Sequence, residues 1–256
     1  MAEDDDATLS SLDKSDLQTN IYEGGFKTWE CSLDLASLLL DRGPRKDIDE
    51  LARVDNVIEL GAGTAIPTLT LFQHALQNSY GITFTLADYN SAVLRLVTLP
   101  NLLLTFARFN LGHAFIPPTD AGDLDITPDL IEAFTMALSQ AGIMLNFRSG
   151  PWGPQLLSLI SPSSAEMGTL VLAAETIYSP SSTTAFVELM TQILRRTRMA
   201  KAIVAAKRVY FGVGGSVDGL KEACHEQGAV AHEVENAGVV GMDQGVGRAL
   251  VEVQMY

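Results

Sequence analysis

Hydrophobic and polar positions along this chain form short apolar runs that alternate with longer segments of helical spacing. The apolar runs are typical of buried strands, and the segments between them carry apolar residues every three or four positions, as one face of a helix does. Strands are predicted at 56–60, 82–88, 143–147, 169–175, 201–207 and 247–256, and helices at 28–40, 64–77, 91–107, 129–142, 150–160, 179–196 and 217–228. The pattern locates six strands, and their alternation with helices predicts one doubly wound α/β domain around a mostly parallel sheet of seven strands, the last of them antiparallel.

The domain organisation depends on where large apolar residues begin. Residues 1–18 are rich in Asp and Glu and contain scarcely any large apolar side chain, so they cannot offset the entropy lost on ordering. We therefore expect an acidic mobile tail at 1–18 and a single domain at 19–256. Cys31 and Cys224 are the only cysteines, and we predict that both are buried thiols.

The net charge of the protein indicates which classes of molecule it can bind. Seventeen Lys and Arg residues against 31 Asp and Glu residues leave a formal net charge of −14. A field of this sign repels a phosphate backbone, which excludes nucleic-acid binding driven by bulk charge and favours encounter with basic partners. We also expect no membrane partner, because no apolar run looks long enough to span a bilayer.

A glycine loop follows the first predicted strand. Glu59 lies just before the loop, which contains Gly61 and Gly63, and a helical segment begins directly afterwards. Glycines let a ligand approach the backbone closely, and free N–H groups at a helix start can hold an anion. The third glycine of a dinucleotide fingerprint would fall at Ile66, so a nicotinamide or flavin dinucleotide is disfavoured.

The second predicted strand ends in an acidic residue, Asp88. Because the carboxyl ends of parallel strands meet at one edge of a sheet, we expect Asp88 to lie beside the glycine loop. A carboxylate there can bind both hydroxyls of a ribose, while Glu59 and the loop face the amino-acid end of the ligand. S-adenosylmethionine has this layout and is the predicted cofactor.

Four sequence blocks resemble a known family. They are GGFKTWECSLDL (24–35), ADYNSAVLRLVTLPN (87–101), AAETIYSP (173–180) and AKRVYFGVGGSV (206–217). With the glycine loop, they resemble the seven-β-strand S-adenosylmethionine-dependent methyltransferases and, more narrowly, the fungal-type protein-histidine methyltransferases that modify a large-subunit ribosomal protein. The resemblance extends over nearly the whole chain from about residue 21.

The resemblance implies a set of cofactor-binding residues. They are Glu59, Gly61 and Gly63 for the donor loop, Asp88 for the ribose, Asn101 for a polar contact and Trp29 for closure of the pocket. Relatives commonly carry Gly-acid-Trp where this chain has Gly150, Pro151 and Trp152. The acid that would bond the adenine amino group is therefore missing, and Trp152 is expected to contribute stacking or packing.

Glu175 and Tyr178 match the acidic-x-x-aromatic motif that this superfamily places beside the acceptor, and we predict that they are catalytic. Methyl transfer from a sulfonium requires alignment more than strong base catalysis. A histidine with a pKa of about 6.5 is mostly neutral at pH 7 and nucleophilic at one ring nitrogen. Glu175 or Tyr178 can accept the N–H of the other nitrogen, which fixes the tautomer and stabilises the cation formed.

The resemblance also implies a substrate and a location. The expected acceptor is the tele nitrogen of a histidine in a large-subunit ribosomal protein, in connection with translation. Separately from the resemblance, we expect a monomer in the cytoplasm and also in the nucleus. The basic residues of the Arg195–Arg208 region are typical of a solvated helix end and are also a candidate contact for ribosomal RNA. They are Arg195, Arg196, Arg198, Lys201, Lys207 and Arg208.

Three alternative functions stay open at this point. A protein-lysine methyltransferase of the same superfamily would share the acidic-x-x-aromatic motif. A non-catalytic factor could keep the fold and bind a ribosomal protein. A small-molecule methyltransferase would act on metabolites rather than on protein.

Overall fold

A computed structural model describes residues 17–18, 21–22, 24–41, 51–110, 123–234, 241–242 and 245–256. The predicted acidic tail lies, apart from its last two residues, outside the described residues. Two short strands, β1 (Leu17–Gln18) and β2 (Ile21–Tyr22), pair antiparallel. The large sheet consists of β3 (Val54–Leu60), β4 (Thr83–Asp88), β5 (Met144–Ser149), β6 (Gly168–Ala174), β7 (Ala200–Lys207), β8 (Ala229–Glu233) and β9 (Arg248–Met255).

The order of the strands in the large sheet is β5-β4-β3-β6-β7-β9-β8. All neighbours pair parallel except β9, which is antiparallel to both β7 and β8. The chain moves outward from β3 through β4 to β5 and then returns to β6 on the other side of β3. The predicted fold class, a seven-stranded doubly wound sheet with an antiparallel last strand, is confirmed.

Helices cover both faces of the sheet. They are α1 (Glu30–Asp41), α2 (Ile66–Asn78), α3 (Ser91–Val93), α4 (Leu99–Asn110), α5 (Pro128–Ala141), α6 (Pro154–Ser158), α7 (Pro180–Leu194) and α8 (Val217–Glu226). A π-helical turn, Leu94–Thr98, connects α3 to α4. Four helix starts have the expected caps, in which a side-chain oxygen accepts an N–H two or three residues later. The capping residues are Asn90, Thr127, Ser179 and Ser216.

Alternate residues of the central strands point into two separate cores. On one face, Val57 of β3 belongs to the core that contains Leu35 of α1 and Phe72 of α2. On the other face, Ile58 belongs to the core that contains Phe186 of α7. Burial on both faces explains why these strands read as continuous apolar runs rather than as alternating ones.

One strand of the large sheet is not anticipated by the sequence pattern, and the short pair β1 and β2 is not anticipated either. The apolar pattern predicts no strand at β8, because its five residues include His232 and Glu233 and are mostly exposed to some degree. The pairing of β8 with the closing strand β9 makes it the last strand of the sheet. Edge strands lack the continuous apolar pattern of central ones, which is why periodicity alone does not reveal it.

The segment Ser91–Phe109 is long and apolar enough to cross a membrane by length and composition. The expectation that no run reaches this length was therefore wrong. Leu94, Leu102 and Phe106 of this segment are buried in the core that contains Phe72. Core helices of α/β domains meet the same criterion, so the segment is explained by its packing on the sheet.

Candidate active site

The chain reverses its direction of travel across the sheet between β3 and β6, so a crevice is expected at the carboxyl ends of these strands. The glycine loop, residues 61–65, follows β3, and Glu175 and Thr176 follow β6. A Cβ added to Gly61 would come within 3.0 Å of the Thr176 Cγ2 atom. The fold therefore brings two of the predicted segments into contact.

The glycine loop has a conformation that glycine favours. Gly61 has φ 72° and Gly63 has φ 50°, both in the left-handed region. The N–H groups of Gly61 and Ala62 donate to the carbonyl oxygen of Ala87 at 2.8 and 2.9 Å, which ties the loop to the end of β4. This contact holds the loop beside Asp88.

Asp88 joins the loop to the next turn through both carboxylate oxygens. Its Oδ2 accepts the N–H of Gly63 at 3.0 Å, and its Oδ1 accepts the N–H of Asn90 at 3.1 Å. A carboxylate has about four acceptor positions, so these bonds are compatible with additional hydrogen bonds from a diol. Asp88 thus lies where the sequence pattern predicts it, and its ribose contact stays a prediction.

Two side chains of the helical segment after β4 donate hydrogen bonds to carbonyl oxygens of the glycine loop. The Thr98 hydroxyl donates to the Gly63 carbonyl at 2.7 Å, and the Asn101 amide donates to the Thr64 carbonyl at 3.0 Å. Asn101 was predicted as a polar contact to the cofactor. In the structure its amide N–H is directed to the loop backbone, so Asn101 supports the loop, and a direct ligand contact stays a prediction.

Glu59 lies beneath the loop rather than on its surface. Its side chain is 2% exposed, and its Oε2 accepts the N–H of Thr68, in the first turn of α2, at 3.1 Å. Burial, only partly offset by this hydrogen bond, raises the pKa of Glu59 to about 8. The bond to the start of α2 fixes the loop to the helix, and contact of Glu59 with a ligand stays a prediction.

The raised pKa of Glu59 makes stability depend on pH. Because the folded state holds the proton more tightly than the unfolded state, the stabilisation is complete below about pH 4.5 and is lost as the pH rises towards 8. Glu59→Gln keeps an acceptor for Thr68 and removes the titration. We expect the free energy of unfolding of the wild type to fall relative to Glu59→Gln between pH 5 and 8, by at most about 1.4 kcal/mol per pH unit.

Urea unfolding of both proteins at pH 5, 6, 7 and 8 measures this difference. The matched control is Glu132→Gln, because Glu132 is exposed on α5 and the same substitution there removes a solvated carboxylate. The control should run parallel to the wild type across the range. Parallel curves for Glu59→Gln would show that Glu59 ionises normally in the folded protein.

The segment before α1 covers the glycine loop. A Cβ added to Gly63 would lie 3.3 Å from the carbonyl oxygen of Gly25. The Trp29 indole N–H donates to the Gly24 carbonyl at 2.8 Å, and the Thr28 hydroxyl donates to the Thr64 hydroxyl at 3.3 Å. Trp29 thus holds the covering segment in place, and its part in closing a cofactor pocket stays a prediction.

Trp152 lies on the other side of the loop. Its Cζ2 atom is 3.9 Å from the position of a Cβ added to Gly61, and its ring packs edge-on against Phe186 at 5.5 Å between centroids. Pro151, which replaces the acid of related sequences, is exposed. Trp152 therefore packs beside the loop, and its contact with the cofactor stays a prediction.

Glu175 is the most constrained residue of the site. It is 6% exposed and has φ 57°, a left-handed backbone that is unusual for a residue other than glycine. The Tyr210 hydroxyl donates to its Oε2 at 2.6 Å, and the Lys207 ammonium lies 3.9 Å from its Oε1. Burial and the nearby Glu175 carboxylate also raise the pKa of the Cys31 thiol.

Tyr178 is held through its main chain. Its carbonyl oxygen accepts the N–H of Gly215 at 3.1 Å, while its half-buried side chain packs against the core that contains Phe186. A bridge between Val209 and Ser216 closes the loop that carries Gly215. The segment 208–216, here called the β7 loop, thus lies directly on the predicted acceptor motif.

Sequence reasoning missed Tyr210 and Lys207 as site residues. The block YFGVGG was part of the resemblance, but nothing in its pattern indicated that Tyr210 points inward to Glu175. The Lys207 ammonium also lies 5.3 Å from the ring centroid of Trp29, a cation–π distance. Lys207 is a charged residue at the carboxyl end of the buried strand β7, and that position could have indicated a site residue. From the sequence we instead assigned Lys207 to the basic run.

Several basic residues of the Arg195–Arg208 region form hydrogen bonds or ion pairs with other residues of the domain. The Arg196 guanidinium donates to the carbonyl oxygens of Leu157 and Ile160 at 3.1 and 2.7 Å. Lys201 is 4% exposed and bonded to Glu252 at 3.2 Å. These contacts explain much of the run structurally, and an RNA contact stays a prediction.

Comparisons with known proteins were made by sequence and by structure. No protein-family model matches the chain. The chain is 40% identical over 218 residues to Histidine protein methyltransferase 1 of Saccharomyces cerevisiae, which covers 79% of this chain and 56% of that protein. It is 40% identical over 215 residues to the protein of the same name from Schizosaccharomyces pombe, covering 83% and 60% respectively.

More distant relatives and solved structures give lower similarity. The Histidine protein methyltransferase 1 homolog of Mus musculus is 26% identical over 243 residues, covering 93% of this chain and 59% of that protein. The DhpI–SAH complex has a TM-score of 0.42 at 14% identity, covering 88% of this chain and 84% of that chain. The fold class is shown by the strand order of the large sheet.

These relatives are longer than the present chain, which spans somewhat more than half of their length. The matched part includes about four fifths of this chain in both yeast proteins. Over most of its length, the chain is therefore similar in sequence to the histidine protein methyltransferases of two yeasts.

Proposed function

We propose that this protein is a protein-histidine N-methyltransferase that transfers a methyl group from S-adenosylmethionine to the tele nitrogen of a histidine in a large-subunit ribosomal protein. The observation that carries the proposal is the meeting of the glycine loop, Asp88 and Glu175 at one edge of the sheet. The 40% identity to yeast histidine protein methyltransferases supports the choice of acceptor.

The residues at this edge fit the methyl donor. The Asp88 carboxylate lies beside the glycine loop and is of the type that binds a ribose diol, and Gly61 and Gly63 have the left-handed φ that lets the loop turn tightly there. Within the described part of the chain, the Thr176 hydroxyl and the Glu175 Oε1 atom are buried polar atoms with no hydrogen-bond partner. Such atoms are rare in folded proteins and fit a polar ligand or substrate. When bound, S-adenosylmethionine supplies a methyl group on a positively charged sulfur.

The acceptor requirements suit Glu175. An imidazole must present the lone pair of one nitrogen in line with the methyl group, and the second nitrogen carries a proton. The Glu175 Oε1 atom can accept that N–H, which selects the tautomer and stabilises the positive charge that develops on the ring. Because Oε2 is already bonded to Tyr210, the carboxylate has one oxygen for this role.

The overall charge favours the proposed class of substrate. A formal net charge of −14 attracts a basic ribosomal protein over long range and raises the rate of encounter. This steering weakens with salt, since the Debye length falls to about 8 Å at physiological ionic strength. The same charge disfavours naked RNA as the first contact.

Identification of the methylated amino acid tests the proposal. The purified protein is incubated with methyl-labelled S-adenosylmethionine and a fraction of large-subunit ribosomal proteins, followed by acid hydrolysis and chromatographic separation of methylated amino acids. We expect the label in tele-methylhistidine. Asp123→Ala, which removes an exposed carboxylate far from the glycine loop in sequence, serves as a control that should label normally.

The other products have distinct meanings. Label in methyllysine would replace this proposal with a lysine methyltransferase, and label in small molecules alone would indicate a metabolite substrate. Donor binding without any transfer to free or assembled ribosomal proteins would favour a non-catalytic binding factor.

A further inference from the structure

The Tyr210 hydroxyl has both of its hydrogen-bonding roles satisfied inside the site. It donates to Glu175 Oε2 at 2.6 Å and accepts the backbone N–H of Lys207 at 3.3 Å. The side chain is 7% exposed, and burial together with the Glu175 carboxylate raises the pKa of Tyr210 above its usual value. The phenol therefore keeps its proton and remains a donor across the physiological range.

Glu175 has an unfavourable backbone conformation, so contacts with neighbouring residues must hold it in place. The left-handed φ of 57° is costly for a residue with a Cβ and persists only where surrounding contacts hold it. One main-chain contact is the N–H of Glu175, which donates to the Ala205 carbonyl at 3.0 Å. The Tyr210 bond fixes the far end of the same side chain.

The two oxygens of Glu175 consequently differ. Oε2 is bonded to Tyr210, whereas no hydrogen bond of normal geometry reaches the buried Oε1 from the described residues. The Cys31 thiol also lies beside the Glu175 carboxylate, which together with burial raises the pKa of that thiol. The Lys207 ammonium forms an ion pair with Oε1 at 3.9 Å. The same ammonium lies over the ring of Trp29. The carboxylate therefore has a fixed rotation that leaves Oε1 for a further donor.

We propose that Tyr210 is a positioning residue that fixes the Glu175 carboxylate so that Oε1 receives the N–H of the acceptor imidazole. This inference rests on the proposed function and assigns a role to a residue of the β7 loop that does not itself touch the substrate. Tyr210 acts only through Glu175. Its effect must therefore disappear when Glu175 can no longer present a carboxylate.

A double-mutant cycle tests this dependence. Tyr210→Phe removes only the hydroxyl, Glu175→Gln removes the charge, and the double variant combines them. Tyr80→Phe is the matched control, since Tyr80 is half-buried and lies just before β4, away from the carboxyl edge. For each protein, kcat, KM for the ribosomal protein, affinity for S-adenosylhomocysteine and the ratio of the two methylhistidine isomers are measured.

We expect Tyr210→Phe to lower kcat roughly 10-fold, the range of one hydrogen bond to a charged group, with donor affinity within about twofold of wild type. We expect the share of the second methylhistidine isomer to rise, because the imidazole is less well oriented. Adding Tyr210→Phe to Glu175→Gln should then change kcat less than about threefold.

Two results would overturn the inference. One is a Tyr210→Phe variant with wild-type kcat, and the other is a double variant in which the two losses multiply in full. If Tyr210→Phe folds poorly, the isomer ratio still decides, because it does not depend on the amount of folded enzyme; a wild-type ratio then refutes the role. The wild-type product, read in the same assay, separates failure of this inference from failure of the proposed function.

Discussion

Gly215→Ala is expected to lower methyl transfer roughly 100-fold or more, the cost of misplacing reacting groups by about 1 Å. A Cβ at this position would lie 1.9 Å from the Ile177 carbonyl oxygen and 2.5 Å from the Tyr178 carbonyl carbon. Both atoms are backbone, so the clash cannot be relieved by rotation of a side chain. The β7 loop must move away from the acceptor motif, and Tyr210 moves with it.

The displacement would break two bonds of the β7 loop. These are the Gly215 N–H to the Tyr178 carbonyl at 3.1 Å and the Tyr210 N–H to the Gly215 carbonyl at 2.8 Å. Turnover and thermal unfolding are measured together. Gly81→Ala is the control, because a Cβ there meets its nearest neighbour, the Gly142 carbonyl oxygen, at an ordinary 3.6 Å. Normal turnover of Gly215→Ala would show that the β7 loop has no part in the site.

Asp88→Ala is expected to reduce affinity for S-adenosylhomocysteine by roughly 100-fold or more. Loss of two hydrogen bonds from a diol to a charged carboxylate is worth about 3 kcal/mol or more. The substitution also leaves the N–H groups of Gly63 and Asn90 without their acceptor, which loosens the glycine loop. Stability should therefore fall as well, by about 2 kcal/mol.

Calorimetric titration with S-adenosylhomocysteine and urea unfolding separate these two effects. Asp123→Ala changes the formal charge equally at an exposed position and should alter neither quantity. An Asp88→Ala protein that binds the ligand as tightly as the wild type would exclude Asp88 from the donor site. It would leave the carboxylate with only the loop-fixing role seen in the structure.

The predicted site residues differ in what they contact in the structure. Asp88 and Glu175 lie at the carboxyl ends of β4 and β6, and Trp152 packs beside the glycine loop. Asn101 and Glu59 hold the glycine loop in place. Asn101 donates to a carbonyl of the loop, and Glu59 accepts an N–H from the first turn of α2. A sequence motif therefore marks residues that build the loop together with residues placed to contact a ligand, and it does not separate the two.

The sequence predicts most of the fold because its signals are local. The strand predicted at 82–88 is Thr83–Asp88, and the helix predicted at 129–142 is Pro128–Ala141. Strong apolar runs and helix caps depend only on neighbouring residues, so they can be read without the tertiary structure. In the large sheet the exception is β8, an edge strand whose identity depends on pairing with β9.

The sequence predicts those parts of the site that follow from the topology of the sheet. A glycine loop after one parallel strand and acids after two others must meet at one edge, so the sequence pattern alone predicts that Gly61, Asp88 and Glu175 lie together. The approach of Tyr210 to Glu175 has no such rule behind it. It depends on how the β7 loop folds back, and the close contact of Gly215 with a distant backbone decides that.

By itself the sequence determined the order of the helices and of the six buried or closing strands, the glycine loop and the acids at the strand ends, because hydrophobic period and loop composition act over a few residues. Only the tertiary structure decided that Glu175 takes a left-handed backbone, that Tyr210 holds one of its oxygens and that Lys207 lies between Glu175 and Trp29. The side-chain contacts among them join residues that are far apart along the chain. Their geometry depends on packing, which a linear pattern does not contain.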